Sequence, residues 1–143
     1  MTPVLVLHFA VTWAMVGLIW LVQVVNYPLF ATVPAREFTR YERRHVRRIT
    51  FVVGPLMLAE ALTGVVLLAV AHDGFPRAVA EIGALLLLVI WLSTAFLQVP
   101  LHGRLGEAYD ARLHRRLVAT NWLRTWAWTA RGLLLGLALL QLA

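Results

Sequence analysis

Four long apolar stretches restrict this chain of 143 residues to few possible folds. They cover approximately residues 4–27, 51–71, 82–101 and 117–142. A helix rises about 1.5 Å per residue, so roughly 20 residues cross a hydrocarbon core of about 30 Å. In lipid the backbone must satisfy its own hydrogen bonds, which favours helices joined by short loops. The sequence therefore predicts an all-α, integral membrane four-helix bundle in a single domain, 1–143.

The ends of the first two helices are marked by turn residues. A cleavable signal peptide is the alternative for the first stretch, but that stretch lacks a basic start and a small-residue cleavage pattern before Asn26. We expect helix 1 to end at Asn26-Tyr27-Pro28, because proline disfavours helical geometry at the preceding residue. Helix 2, residues 34–71, should begin near Pro34 with a cytoplasmic extension. A turn at His72-Asp73-Gly74-Phe75-Pro76 then leads to helix 3.

The placement of the arginines predicts the orientation. The chain has 13 arginines and no lysine. Only Arg77 lies between helices 2 and 3. By the positive-inside rule, the two basic connections are cytoplasmic and both chain ends lie outside. We expect a bacterial inner membrane, with anionic lipid headgroups beside the arginines and no nucleic acid as partner. Ten arginines lie in these basic connections, which join helices 1 and 2 and helices 3 and 4: Arg36, Arg40, Arg43, Arg44, Arg47, Arg48, Arg104, Arg112, Arg115 and Arg116.

Three charged side chains fall deep within the apolar stretches. Glu60 is about 14 Å inside helix 2, whereas Arg124 and Arg131 are about 10 Å and 21 Å inside helix 4. Because an unpaired charge is costly in lipid, we predict an intramembrane ion pair between Glu60 and one of these arginines. The pair would either fix the packing of helices 2 and 4 or line a path for protons or substrate.

Polar side chains from all four helices fall at one level near the cytoplasmic surface. Residues three, four or seven apart lie on one face of a helix, which aligns the polar positions within each helix. We therefore expect a polar cavity that opens to the cytoplasm. Its predicted lining is Gln23, Asn26, Glu42, His45, Gln98, His102, His114, Asn121 and Arg124.

The spacing of Glu42 and His45 is compatible with cofactor binding. An i, i+3 pair of Glu and His is the spacing that carboxylate-bridged metal proteins use inside four-helix bundles. His102 and His114 could complete a mononuclear metal site with Glu42 and His45. A haem with axial ligands among His45, His102 and His114 is also compatible with these residue types. The alternative is that these side chains are solvated or interfacial and bind nothing.

The segment QVPLHGRLGEAYDARLHRRLVATNWLRTWAW is the least generic part of the chain. Two short motifs stand out in it: Pro100 with a polar residue two positions on, and Asn121-Trp122-x-Arg124. Through these motifs the segment resembles small four-helix bacterial membrane proteins of unassigned function and the anthrone oxygenase-like family. The resemblance implies redox chemistry on an aromatic or quinone-like molecule. His8 and Trp13 near the start are similar to the small membrane protoporphyrinogen oxidases, a four-helix haem family whose later lysine has no counterpart here.

Two functions are therefore expected from the sequence. One is a metal- or haem-dependent oxidoreductase that acts on a lipophilic aromatic or quinone-like molecule by acid–base or ligand chemistry. Its catalytic residues would be Glu42, His45, His102, Asn121 and Arg124, with Arg124 holding an anionic or carbonyl oxygen. The other is a non-catalytic membrane subunit, assembly factor or permeation unit whose polar residues specify packing. Homo-oligomers are compatible with the small residues of helix 4, which are Gly132, Gly136 and Ala138.

Overall fold

The computed structural model describes residues 2–71 and 75–142 and is helical almost throughout. Its helices form a bundle in which each long segment packs against the next along the chain and the last packs against the first. The predicted all-α bundle is confirmed. The helices are α1 (Thr2–Leu21), α2 (Tyr27–Phe30), α3 (Ala35–Ala69), α4 (Arg77–Ser93), α5 (Val99–Leu105) and α6 (Ala111–Leu142).

The first helical segment passes a proline without ending. A five-residue π-helical turn, Val22–Asn26, joins α1 to α2, and the N–H of Tyr27 donates to the carbonyl of Val22, five residues back. Pro28 follows directly, in the first turn of α2, where its missing N–H is tolerated. The prediction that this helix ends at Asn26-Tyr27-Pro28 is therefore wrong, because the wide turn accommodates the proline ring.

The same arrangement recurs in the third helical segment. A π-helical turn, Thr94–Gln98, joins α4 to α5, the N–H of Val99 donates to the carbonyl of Thr94, and Pro100 follows. Helix 3 therefore continues to Leu105 rather than ending at 101, and it begins at 77 rather than at 82.

The two longest helices differ in how they begin. α3 starts directly after Pro34, as predicted, whereas α6 starts at 111 rather than at 117. Asp110 caps α6, because its Oδ1 accepts the N–H of Arg112 at 2.6 Å and that of Leu113 at 3.3 Å. These two bonds hold the pKa of Asp110 below its ordinary value. Of the turn predicted at 72–76, residues 72–74 lie outside the described part of the chain.

The exterior of the bundle is apolar, and the interior combines an apolar core with buried polar side chains. The exposed fractions of Phe51, Phe96 and Leu140 are 74%, 72% and 77%. An exterior of this kind is not typical of a soluble protein. The main core, which surrounds the level of the wide turns, includes Met15, Ile19, Phe30, Phe38, Met57, Ile90, Leu105, Leu117 and Trp128.

Three of the helical stretches are long and apolar enough to cross a membrane. They are Pro3–Phe30, Ala35–Ala69 and Arg77–Leu105. The fourth predicted span, within α6, is not among those found in the described part of the chain. Arg124 and Arg131 lie within α6, and both are buried in the bundle.

A close contact between α1 and α6 depends on one of the small residues of α6. A Cβ atom added to Gly132 would lie 3.2 Å from Val16 and 3.3 Å from Trp13. Gly132 thus serves packing within the chain. Homo-oligomerisation stays a prediction.

Candidate functional site

A cavity of about 650 Å³ lies between α3 and α4–α5, and α1 closes its inner side. Most of its wall is apolar, and a smaller group of polar side chains reaches it from every helical segment. The apolar wall includes Met15, Leu18, Ile19, Val22, Val53, Met57, Trp91 and Val99. The polar group includes Tyr27, Glu42, His45, Gln98, His102 and Arg124.

A carboxylate, an imidazole and a phenol form a chain at this cavity. Glu42 Oε1 is in direct contact with Nδ1 of His102, and His102 Nε2 lies 2.9 Å from the Tyr27 hydroxyl. A carboxylate beside Nδ1 keeps the ring proton on that nitrogen, so Nε2 accepts the hydrogen bond from Tyr27. Glu42 is 0% exposed and Tyr27 2%, whereas the side chain of His102 is 14% exposed, so solvent reaches these contacts mainly at the imidazole.

The helical phase of α3 brings Glu42 into the bundle. Phe38 and Glu42, four residues apart, face inward and are both 0% exposed, whereas Tyr41 is 38% exposed. His45 and Ile49 continue this inward face, since both line the cavity, so of the adjacent residues Tyr41 and Glu42 it is Glu42 that faces the bundle. Arg43 also does more than mark topology, since its Nε donates to the carbonyl of Gly106 at 2.8 Å.

His45 lies beside His102, at the level of the contacts between Glu42, His102 and Tyr27. Its ring stacks on that of His102 with 6.0 Å between the centroids, and it meets Phe30 edge-on at 4.9 Å. His45 also borders a second groove on the outer side of α3, which Asn26, Arg44 and Arg48 line. Asn26, predicted to line the main cavity, lies in this groove instead.

Arg124 reaches the inner end of the cavity from α6. Its Nη1 donates to Oδ1 of Asn121 at 3.3 Å, and its guanidinium lies 5.1 Å from the centre of the Trp128 ring. The side chain is buried, with 6% of the residue exposed. Among the described residues Arg124 has no carboxylate within ion-pair distance.

Three of the predicted cavity residues instead tie α6 to the first helical segment. Asn121 Nδ2 donates to Gln23 Oε1 at 2.8 Å, and Gln23 Nε2 donates to the carbonyl of Val118 at 3.2 Å. His114 Nε2 donates to the carbonyl of Tyr27 at 2.8 Å. Gln23, His114 and Asn121 are thus buried bridges outside the cavity lining.

Three cavity-lining residues carry a buried polar atom without a hydrogen-bond partner in the described part of the protein. These atoms are Oε2 of Glu42, Oε1 of Gln98 and Nε of Arg124. The amide of Gln98 is oriented by its neighbour, because Nε2 donates to Thr120 Oγ1 at 3.0 Å. Buried polar atoms are normally satisfied, so these three require an explanation.

The predicted metal site does not assemble as a group. Glu42 and His102 are in contact and His45 is close, but His114 is engaged with the backbone of α2. Within residues 2–71 and 75–142, no three of His, Asp and Glu are arranged to hold a metal ion. A metal site formed by Glu42, His45, His102 and His114 is therefore not supported.

Glu60 forms its ion pair with the deeper of the two arginines. Arg131 Nε lies 3.1 Å from Glu60 Oε1. Thr12 donates to the same oxygen at 3.0 Å, and Trp128 Nε1 donates to Oε2 at 2.9 Å. All four residues are buried.

Arg131 extends this cluster to α1 and α4. It donates to the carbonyl of Gly83, and its Nη2 lies 3.2 Å from Nε2 of His8. The other ring nitrogen of His8 lies 2.7 Å from Thr63 Oγ1. His8 is therefore a buried partner of Arg131.

Tyr27 is the site residue that sequence reasoning missed. Its place directly before a proline favours a packing aromatic at the end of helix 1 over a site residue. The usable signal is the recurrence of a polar residue, one further residue, proline and leucine in Asn26-Tyr27-Pro28-Leu29 and Gln98-Val99-Pro100-Leu101. In the structure, the polar residue of each segment ends a wide turn.

Comparisons of the chain with models of known protein families, with curated proteins and with solved structures found no match. The resemblance to the anthrone oxygenase-like family therefore stays a prediction.

Proposed function

We propose that this chain is an integral membrane protein that binds a lipophilic aromatic molecule in the cavity between α3 and α4–α5 and exchanges a proton with it. The observation that carries the proposal is the chain of contacts from Glu42 through His102 to Tyr27, at a cavity whose walls are mainly apolar. A cavity of about 650 Å³ falls within the range of small-molecule sites.

The membrane part of the proposal rests on the surface of the bundle. Three helical stretches are apolar and long enough to span. α6 serves as the fourth span, because its two inner arginines are buried while Leu133, Leu137 and Leu140 are 55%, 62% and 77% exposed. The arginine-rich end would lie in the cytoplasm of a bacterium, beside anionic headgroups, with both chain ends outside.

The position of the cavity favours a ligand that arrives from lipid. Val99 and Trp91 are 60% and 36% exposed on the outer surface of the third helical segment, and both also line the cavity. An apolar molecule in the bilayer can therefore pass between α3 and this segment. Gln98 lines the cavity, and its buried Oε1 has no hydrogen-bond partner in the described part of the chain. This oxygen would accept a hydrogen bond from a ligand hydroxyl such as that of a phenol or hydroquinone.

The proton step uses Tyr27, His102 and Glu42 in that order. The ligand gives a proton to the Tyr27 oxygen while the proton of Tyr27 passes to His102 Nε2, and Glu42 stabilises the imidazolium that forms. The reverse sequence returns the proton. The predicted oxidoreductase activity would couple this step to an electron acceptor, and the haem that the sequence allowed stays a prediction.

A carbon acid tests the proton step without any redox partner. The purified protein in detergent should exchange the α-hydrogens of 2-tetralone with D₂O, as followed by mass spectrometry. His102→Gln should slow this exchange by about 100-fold, the size typical of a lost general base. As the control, Glu81→Gln changes an exposed carboxylate that lies outside the cavity and should leave the rate unchanged. Exchange equal to that in protein-free micelles would contradict the proposal.

Binding is tested by filling the cavity. A Cβ atom at Gly103, which lines the cavity, would meet no heavy atom within 4 Å, and the same holds for Gly17 outside it. Gly103→Phe should therefore abolish binding of 2-naphthol, measured by the fluorescence of the naphthol. Gly17→Phe should bind it as the unaltered protein does. Equal binding by both variants would place the ligand elsewhere.

A packing role is the better account of the second polar cluster. Both carboxylate oxygens of Glu60 accept hydrogen bonds, and Arg131 has three partners. We infer that the Glu60 cluster fixes the arrangement of α1, α3, α4 and α6 and takes no part in the chemistry.

A further inference from the structure

Arg124 is a buried cation without a counterion among the residues that the structure describes. Its hydrogen-bond partner there, Asn121 Oδ1, is a neutral oxygen at 3.3 Å, and its Nε has none. The other buried arginine of α6, Arg131, pairs with Glu60 at 3.1 Å. The same helix thus contains one compensated and one uncompensated guanidinium.

Such an arrangement is costly unless something else compensates the charge. A buried ion is normally paired, because the loss of hydration outweighs what neutral contacts return. The face of Trp128 supplies part of the compensation through its ring electrons. The side chain of Arg124 lines the cavity, so a ligand there lies beside a guanidinium whose hydrogen-bond donors are only partly used.

The net charge of the cavity lining favours a negatively charged ligand group. Glu42 is engaged by His102 and is not close enough to pair with Arg124. The other charged residues of the lining are Arg43, Arg47 and Glu107 at the exposed rim. With three arginines against two carboxylates in the lining, an anion is favoured over a cation.

We propose that Arg124 forms an anion subsite at the inner end of the cavity, so that the ligand carries a carboxylate or another anionic oxygen on its apolar body. This inference rests on the proposed function, because it uses the same cavity. The planar guanidinium suits a carboxylate, which can accept two parallel hydrogen bonds from it. The apolar body then lies against the wall formed by α1, α3 and α4.

The test compares two probes that differ in charge and hardly in shape, 2-naphthoate and 2-naphthamide. A charge-assisted hydrogen bond contributes about 1.5–3 kcal/mol, so the unaltered protein should bind the naphthoate about 10- to 150-fold more tightly. Arg124→Gln should abolish that preference, so that this variant binds the two probes with similar affinity. Arg116→Gln removes an exposed arginine of the same helix and should keep the preference.

The comparison on the unaltered protein needs no variant to fold. Equal affinity for naphthoate and naphthamide would overturn the anion subsite while leaving the proposed function standing. If the protein bound none of the three probes 2-naphthol, naphthoate and naphthamide, both the anion subsite and the proposed function would be overturned. Decanoate tests whether the anion belongs to a fatty acid. If decanoate bound more tightly than naphthoate and this binding were lost in Arg124→Gln, the anion subsite would be supported. The ligand would then be a fatty acid, which would contradict the aromatic ligand.

Discussion

Replacing Glu60 by glutamine should destabilise the bundle by about 3 kcal/mol. The carboxylate is 0% exposed, and its Oε1 lies 3.1 Å from Nε of Arg131. The amide leaves a buried guanidinium without its counterion, and breaking a buried pair in this way costs about 3–5 kcal/mol. We expect the lower end of that range, because Arg131 keeps the Gly83 carbonyl and His8 Nε2 as acceptors.

The same substitution at Glu81 is the matched control. Glu81 pairs with Arg77 at 2.7 Å, but the two side chains are 50% and 64% exposed. An exposed pair contributes at most about 1 kcal/mol, so Glu81→Gln should have a small effect. The free energy of unfolding of both variants can be measured in mixed micelles by titration with a denaturing detergent, with the helical circular dichroism as signal.

A double variant separates the stranded charge from lost packing. Leucine at both Glu60 and Arg131 should recover most of the stability lost in Glu60→Gln, because apolar replacements of buried ion pairs are often neutral or better. If the double variant were as unstable as the single one, the loss would lie in the hydrogen bonds from Thr12 and Trp128. If Glu60→Gln cost no more than Glu81→Gln, the reasoning from burial would be wrong.

Two further predictions concern α6. Gly132→Ala should destabilise the protein by about 1–3 kcal/mol, because the added methyl group would lie 3.2 Å from Val16. Gly136→Ala is the control: a methyl group there would have nothing within 4 Å, and alanine should stabilise the helix by up to about 1 kcal/mol. Equal effects in the same detergent titration would contradict this packing. The pKa of Asp110 is lowered by two backbone N–H groups, so its stabilising contribution is present above its unfolded pKa and is lost as the pH falls through the lower folded value. The free energy of unfolding should be measured from neutral pH to below 3.8, the ordinary pKa of an aspartate side chain. It should show this loss in the unaltered protein and not in Asp110→Asn. The same pH dependence in both proteins would exclude the Asp110 cap as the source of the loss.

The depth of the buried charges could be predicted from sequence, but the choice of partner could not. The rise per residue placed Glu60 between Arg124 and Arg131. These arginines are seven residues apart and share a face of α6, so the sequence pattern does not distinguish them. The structure pairs Glu60 with Arg131 and places Trp128 between the two arginines, with its N–H on Glu60 and its ring against Arg124.

The inward face of α3 was harder to predict, for a different reason. Apolar periodicity defines a helical face only where apolar residues dominate, and the first turns of α3 are rich in arginine. Tyr41 therefore looked as suitable for the interior as Glu42. Glu42 is buried because His102, 60 residues further along the chain, contacts it. A contact so distant in sequence leaves no periodic signal near Glu42.

The two wide turns explain why the site depends on residues that a regular helical pattern misplaces. One residue advances an α-helix by about 100°, so the extra residue of a π-helical turn rotates every later side chain by roughly that angle. Tyr27 and His102 both follow such a turn, one at its end and the other just beyond Pro100. The hydrogen bond between them therefore depends on both turns, and His114 holds the first in place through the Tyr27 carbonyl. Since π-helical turns occur frequently at functional sites, their position shortly before Tyr27 and His102 favours a role in chemistry over a role in packing alone.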